Sequence, residues 1–290
     1  MRNEKVGSLA RLTDIIPTLM VPRRMIPSLE GGDSEITVYR QSRRFSQRPT
    51  IPSLLTSHVH VWQFPLTVSD SEFPACAEGL SEDERARAGK FRIEKDARRF
   101  VVARASMRFI LAEYVHSAAR DLRFVYSKYG KPSLADPVTE IRFNLSHAGE
   151  SAILGITRSR NIGVDIEAVN RNVECDKLAK RFFSTHERAW LRHLPEEERS
   201  RCFFRIWTCK EAFLKAQGFG LTRSLDSFDI DLSSGTARLL ATRPDAREAQ
   251  LWSLIEIERS PQHAAALAVE GRAGTLSLIR YEDNIEEKHP

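Results

Sequence analysis

Apolar and polar residues alternate from His58 to Leu66, where Val59 and Val61 sit between His58, His60 and Trp62, and this period of two predicts a strand. Ser81 followed by Glu82, Asp83 and Glu84 predicts a helix start with acids in its first turn. A longer helix is predicted near Lys95–Ala119. There Phe100, Ala103, Met107, Ile110, Leu111 and Tyr114 share a face at steps of three and four, while Arg98, Arg104 and Arg108 fall off it. The period of two then returns. Strands are predicted at Leu122–Ser127, at Ile141–Leu145, and at Ala152–Thr157 and Asn161–Val169, the last two joined as a hairpin through Arg158–Arg160. Lys128–Pro132 reads as a turn or loop punctuated by Gly130 and Pro132.

Helical spacing resumes at Val173–Phe183, Thr185–Leu194 and Arg201–Gln217, the last ended by Gly218. Strand-like segments follow at Phe228–Asp231, Leu251–Glu258 and Ala264–Glu270. This uneven alternation favours an α+β fold over a wound parallel sheet.

The 290 residues suffice for one large domain or two small ones, and 41% hydrophobic with 29% charged residues is the balance of a soluble globular protein. No apolar run approaches the roughly 20 residues of a membrane span. The formal charge of +5 is uneven: residues 1–56 hold nine Lys/Arg and five Asp/Glu, whereas 57–290 hold 35 and 34. A nearly neutral body argues against a general DNA-coating surface. Within it, residues 85–108 carry nine Arg/Lys against Glu94 and Asp96 alone. Such a cluster suits a compact polyanion, for example a phosphorylated cofactor, or a solvated helix face.

Residues 1–56, with Pro17, Pro22, Pro27, Pro49 and Pro52, scattered arginines and no sustained period, are expected to form an irregular or disordered extension. Their start lacks the apolar core of a signal peptide. Cys76, Cys175, Cys202 and Cys209 form no close metal-ligand pair and read as reduced thiols of a cytoplasmic protein.

Three segments carry chemistry. In Gly163-Val164-Asp165-Ile166-Glu167, a strand turns Val164 and Ile166 inward and sets Asp165 and Glu167 together on the other face, beside a glycine that leaves room for a ligand. Paired carboxylates repel unless a cation lies between them, and hard oxygen ligands favour Mg²⁺ with a substrate phosphate. A solvent-facing acidic strand is the plainer alternative. In Trp207–Lys215, steps of four put Trp207, Glu211 and Lys215 on one side of a helix. Glu211 could complete a three-carboxylate site, with Lys210 and Lys215 against phosphate oxygens, or Glu211 and Lys215 could be an ordinary exposed pair. In Phe143–His147, preceded by Lys131-Pro132, Ser146 and His147 could hold phosphate through hydroxyl and imidazole. A hydrolase reading is disfavoured, because neighbours on a strand point to opposite faces and no G-x-S-x-G turn surrounds Ser146.

Taken in order and spacing, Lys131-Pro132, Phe143–His147, Gly163–Glu167, Phe182–Ser184 with Glu187, and Trp207–Lys215 resemble the 4′-phosphopantetheinyl transferase superfamily, specifically its larger surfactin-synthetase-activating type. That family's pattern is K-P, F-N-x-S-H, G-x-D-I-E, F-F-S-x-x-E and W-x-x-K-E-x-x-x-K. The resemblance covers about residues 57–280. It implies two pseudosymmetric halves, each a small sheet packed on a helix, at 57–145 and 146–280, with a tail at 281–290 and coenzyme A bound between the halves. It implies Mg²⁺ on Asp165, Glu167 and Glu211, Glu187 as general base, and Lys210 and Lys215 near the phosphates, Lys215 neutralising or protonating the leaving 3′,5′-ADP. Tyr129, Gly130, Lys131, Pro132, Ser146 and His147 match the nucleotide-contact region. Arg87 and Arg99, with Arg85 and Lys90 as neighbours, align with residues that hold the 3′-phosphate and adenine. Glu84 is an acid where some members carry lysine, and the extension has no counterpart.

The implied reaction is attack by a serine of an apo acyl or peptidyl carrier protein on the β-phosphorus of coenzyme A. The implied protein is a pseudodimeric monomer acting neither on nucleic acid nor at a membrane. Two other readings compete with it. A basic interaction protein binding nucleic acid would not need the three carboxylates, and a different Mg²⁺ phosphate enzyme would leave Lys131-Pro132 and Trp207 unexplained.

Overall fold

Two sheets stack face to face, and each is backed on its outer side by one long helix. The computed structural model describes residues 21–22, 36–42, 49, 51–136, 139–170 and 172–282. In chain order the elements begin with β1 (Val21–Pro22), β2 (Ile36–Ser42), β3 (Val59–Pro65), α1 (Phe73–Glu78), α2 (Glu82–Ala88) and α3 (Glu94–Val115). The strands β4 (Arg123–Tyr126), β5 (Pro132–Asp136), β6 (Ile141–Ala148), β7 (Ser151–Arg158) and β8 (Ile162–Ala168) follow. Then come α4 (Cys175–Phe182), α5 (Thr185–Arg192), α6 (Glu196–Gln217), β9 (Phe228–Asp231), β10 (Arg238–Thr242), β11 (Trp252–Arg259), β12 (His263–Glu270) and β13 (Leu276–Glu282). The fold class is α+β, as expected.

The first sheet has the order β1-β2-β13-β3-β7-β6, with β13 parallel to both β2 and β3. The second is β11-β12-β8, antiparallel throughout. Val59, Val61, Ile153, Leu276 and Leu278 from the first sheet meet Val164, Ile166, Ala265 and Leu267 from the second in the buried layer between them. The outer face of the first sheet packs Trp62, Phe143 and Leu154 on Met107, Ile110 and Leu111 of α3. The outer face of the second packs Ala264, Ala266 and Ala268 on α6.

Several expectations change. β7 and β8 do not form a hairpin: β7 pairs with β3 and β6, and β8 pairs with β12. Both strands are apolar on the faces they share, so they stack rather than pair. A Cβ at Gly155 would lie 2.7 Å from Val164 Cγ1, so glycine is what lets them approach. Arg160 stitches the crossover by donating to the carbonyls of His58, Glu270 and Arg272. The division expected between residues 145 and 146 therefore falls inside β6; the chain changes sheets at 159–161. β13, unrecognised in the sequence, returns to the first sheet, so residues 146–280 are not one contiguous half, and Tyr281 and Glu282 of the expected tail are strand.

Within the expected irregular extension, β2 is a regular strand whose Ile36 and Val38 join the layer between the sheets. The rest of that extension, apart from 21–22, 49 and 51–56, and residues 283–290 lie outside the described residues. Among the described residues no helix is long and apolar enough to cross a membrane.

Candidate active site

β8 and α6 build the acidic cluster together, and glycine decides how closely they meet. A Cβ at Gly163 would lie 2.1 Å from Ala212 O and 2.2 Å from Ala216 N. The space beside Asp165 is therefore taken by the backbone of α6 and not left for a ligand. This contact brings the outward face of β8, Asp165 and Glu167, against the Trp207–Glu211–Lys215 side of α6.

Lys215 Nζ donates to Asp165 Oδ1 at 2.5 Å and to Ser146 Oγ at 3.0 Å, and Ser146 Oγ donates to Asp165 Oδ1 at 2.9 Å. The Trp207 indole hydrogen-bonds Glu167. Burial, and then the charge of Asp165, push both Glu167 and Glu211 up to about 7. Asp165 is also raised by burial, against the pull of Lys215. Burial works to lower Lys215, but Asp165, Glu211 and Glu167 outweigh it and raise it above the ordinary lysine value. Such a lysine neutralises phosphate better than it gives up a proton.

The fit of this cluster to a divalent cation rests on charge and on orphaned atoms. Asp165 Oδ2 and Glu211 Oε1 are buried with no hydrogen-bond partner, a costly state that a cation relieves. Among the described residues no group of three or more His, Cys, Asp or Glu side chains already stands as a metal shell. The positive charge present is the Lys215 ammonium. The donor set, all carboxylate oxygen, suits Mg²⁺.

Glu187 and Lys210 are not part of this cluster. Lys210 Nζ donates to Glu187 Oε1, Leu225 O and Phe228 O, each at 2.7 Å. Glu187 Oε1 also accepts from Ile230 N at 2.7 Å, and Oε2 from Ser184 N at 2.9 Å, closing the capping box of α5. Both side chains are 0% exposed. A carboxylate sealed and saturated in this way cannot reach a carrier hydroxyl, so the general-base expectation for Glu187 does not fit this geometry. The same saturation keeps Lys210 from phosphate.

The nucleotide-contact residues divide. Tyr129 is exposed at the β4–β5 turn, where Gly130 has φ +83° and Pro132 opens β5. Ser146 belongs to the cluster, whereas His147, next to it on β6, is half-buried on the opposite face of the strand. Lys131 Nζ, however, donates to Ile162 O, Lys215 O and Ala216 O.

Of the basic stretch, Arg85, Arg87 and Lys90 are exposed on or just after α2. Arg85 Nη1 donates to Leu80 O, and Arg87 lies over the Phe100 ring at 5.3 Å. Arg99 pairs with Glu150 and Asp96, and Lys95 with Glu150. Arg104 and Arg108, expected off the buried stripe, are 2% exposed and both grip Glu84 at 2.5 Å. Burial raises the Glu84 carboxyl, but the two arginines more than offset this and hold it below the ordinary range. Glu84 is therefore a structural anchor of α2 on α3; Arg104 and Arg108 are spent on it, whereas Arg85, Arg87 and Lys90 stay exposed.

One contributor was missed, and another lacked its partner. Asn144 Oδ1 accepts from Val164 N at 2.8 Å, joining β6 to β8 where no ladder does. Trp207 was placed beside Glu211 but without a partner. The signal for Asn144 was a polar residue buried between Phe143 and Leu145.

Comparison with known proteins adds to this geometry. Residues 161–268 match the model of the 4′-phosphopantetheinyl transferase superfamily, and residues 43–158 match that of the 4′-phosphopantetheinyl transferase N-terminal region. The two meet where the chain changes sheets. A relative from Nostoc sp., 4′-phosphopantetheinyl transferase HetI, is 38% identical over 77% of this chain and 92% of its own. The chain belongs to the 4′-phosphopantetheinyl transferase superfamily. Among other relatives, the Bacillus subtilis 4′-phosphopantetheinyl transferase Sfp is 28% identical over 70% of this chain and 89% of its own. A solved structure of the Bacillus anthracis holo-(acyl-carrier-protein) synthase in complex with CoA (3′,5′-ADP) aligns with 39% of this chain and 96% of that one, at 24% identity and a TM-score of 0.33. This transferase is thus an enzyme whose acidic cluster lies in the superfamily segment.

Proposed function

We propose that this transferase moves the 4′-phosphopantetheine group from coenzyme A to a serine of an apo acyl or peptidyl carrier protein, releases 3′,5′-ADP and depends on Mg²⁺. The observation that carries this reading is the pair of buried, unpartnered oxygens, Asp165 Oδ2 and Glu211 Oε1, in a cluster where burial and the charge of Asp165 raise both Glu167 and Glu211. Asp165, Glu167 and Glu211 would hold the ion, which supplies charge neutralisation at the pyrophosphate.

The chain's own residues contribute the rest. Lys215, kept charged by its carboxylate neighbours, offers a positive end to the phosphate that gathers charge as the bond to ADP breaks. Ser146 orients Lys215 and Asp165 through one hydroxyl. Trp207 fixes Glu167 and excludes water from that side. Exposed Tyr129, with Arg85, Arg87, Lys90 and Arg99, supplies stacking surface and positive charge for the nucleotide. The enzyme is proposed to act as a pseudodimeric monomer in the cytoplasm, without nucleic acid or membrane.

The test is incubation of the protein with coenzyme A, Mg²⁺ and an apo carrier, read by intact mass spectrometry. A phosphopantetheine adduct on the carrier serine is expected. No adduct on acyl, peptidyl or aminoadipate-reductase carriers, with metal and coenzyme A in excess, would overturn the proposal.

A further inference from the structure

An ammonium has three hydrogens to give, and Lys131 has given all of them. Its acceptors are Ile162 O at 3.0 Å, Lys215 O at 2.7 Å and Ala216 O at 2.9 Å. The last two are carbonyls of the final turn of α6, which no residue of the helix itself can satisfy. The first opens β8. Lys131 itself belongs to the β4–β5 hairpin, so one side chain ties three elements together.

The hairpin is stiff enough to bear on that joint. Along β4, Arg104 Nη2 donates to Tyr126 Oη at 2.6 Å, and the guanidiniums of Arg104 and Arg108 lie 5.2 and 5.0 Å from the Phe124 ring centre. In its turn Ser127 Oγ accepts from the backbone of Tyr129 and Lys131. At its tip the Lys131 stem comes 3.5 Å from the Cβ position of Gly218, the left-handed residue that ends α6. The hairpin is therefore a strut running from α3 to the end of α6. That end carries Lys215, whose ammonium holds Ser146 and Asp165.

We propose that Lys131 is a positioning residue. Its ammonium clasps the last turn of α6 and so sets Lys215 against Ser146 and Asp165, instead of binding nucleotide itself. The kinetic part of this proposal rests on the transferase reaction proposed above; the structural part does not.

The experiment compares full-length wild type with Lys131→Met and Lys131→Arg by hydrogen exchange and by steady-state kinetics with coenzyme A. In both variants the amides of Leu214–Gly218 should exchange at least tenfold faster while the first turns of α6 are unchanged. The kcat should fall about tenfold, with the KM for coenzyme A within twofold of wild type. Arginine should not rescue, because its planar fork cannot converge on three carbonyls from a lysine-sized pocket. A tenfold rise in KM with unchanged exchange and kcat, or full rescue by arginine, would make Lys131 a nucleotide ligand and overturn the clasp. If Lys131→Met does not fold, Lys131→Arg, which keeps the charge, gives the same two readouts. If wild type transfers nothing, the reaction is wrong, and the exchange data still decide the clasp.

Discussion

Lys210 Nζ lies 2.7 Å from Glu187 Oε1, and neither side chain touches solvent. Removing one partner strands the other as an uncompensated buried charge, which costs about 3–5 kcal/mol. Glu187→Ala and Lys210→Met are each expected to lose about that much in urea unfolding. The double variant Glu187→Ala/Lys210→Met should lose less than their sum. Glu187→Gln, assayed well below its melting temperature, should keep kcat within a few-fold and keep the wild-type pH profile. Loss of the acidic limb of that profile in a fully folded protein would restore Glu187 as the proton acceptor.

Glu211 sits in a repulsive neighbourhood at neutral pH. Glu211→Gln should leave the metal-free protein as stable as wild type or about 1 kcal/mol more stable at pH 8. It should lower transfer by about 100-fold or more, the scale of losing a charge-stabilising group in a phosphoryl site. A destabilised variant with normal activity would remove Glu211 from the site.

The raised carboxylates predict a pH signature. Glu167 and Glu211 are pushed up to about 7 in the folded protein, from an ordinary 4.5 in the unfolded chain. Below 4.5 their contribution to stability is fully present, and it is lost as pH rises through 7, because the folded state binds the protons more tightly. Metal-free melting temperature, as far as these groups govern it, should therefore drop between pH 5 and 8. Mg²⁺ should raise it more at pH 8 than at pH 5. Equal Mg²⁺ effects at the two pH values would argue that the carboxylates do not hold the ion.

Gly163→Ala tests the contact between β8 and α6. The added methyl would meet main-chain atoms at 2.1 and 2.2 Å, and a backbone cannot step aside as a side chain does. A loss above about 4 kcal/mol or failure to accumulate as folded protein is expected. A near-native melting temperature would mean that the two elements do not touch.

The sequence carried the local period well. The strands at β3, β6 and β12 and the helices α3 and α6 lie where spacing put them, and steps of four did bring Trp207, Glu211 and Lys215 to one side. What it concealed was long-range. β13 pairs with β3 across more than two hundred residues, a relation no local pattern encodes. Glu84, Arg104 and Arg108 read as surface charges because only their meeting makes them buriable. Glu187, Lys210 and Lys131 matched motif positions, but a motif does not say whether a charged group is aimed at a ligand or already held by polar groups of the fold. Gly163 was legible as a close approach and wrong only in what approaches.

The parallel strand at Leu276–Glu282, lodged between β2 and β3, makes assembly order differ from the order of synthesis. During synthesis β8, β11 and β12, all the strands of the second sheet, are made before β13. The N-terminal sheet must wait, its β3 edge unfilled, until a strand made much later slots in beside it. Ragged C-terminal truncations should thus injure the part of the protein that was translated first.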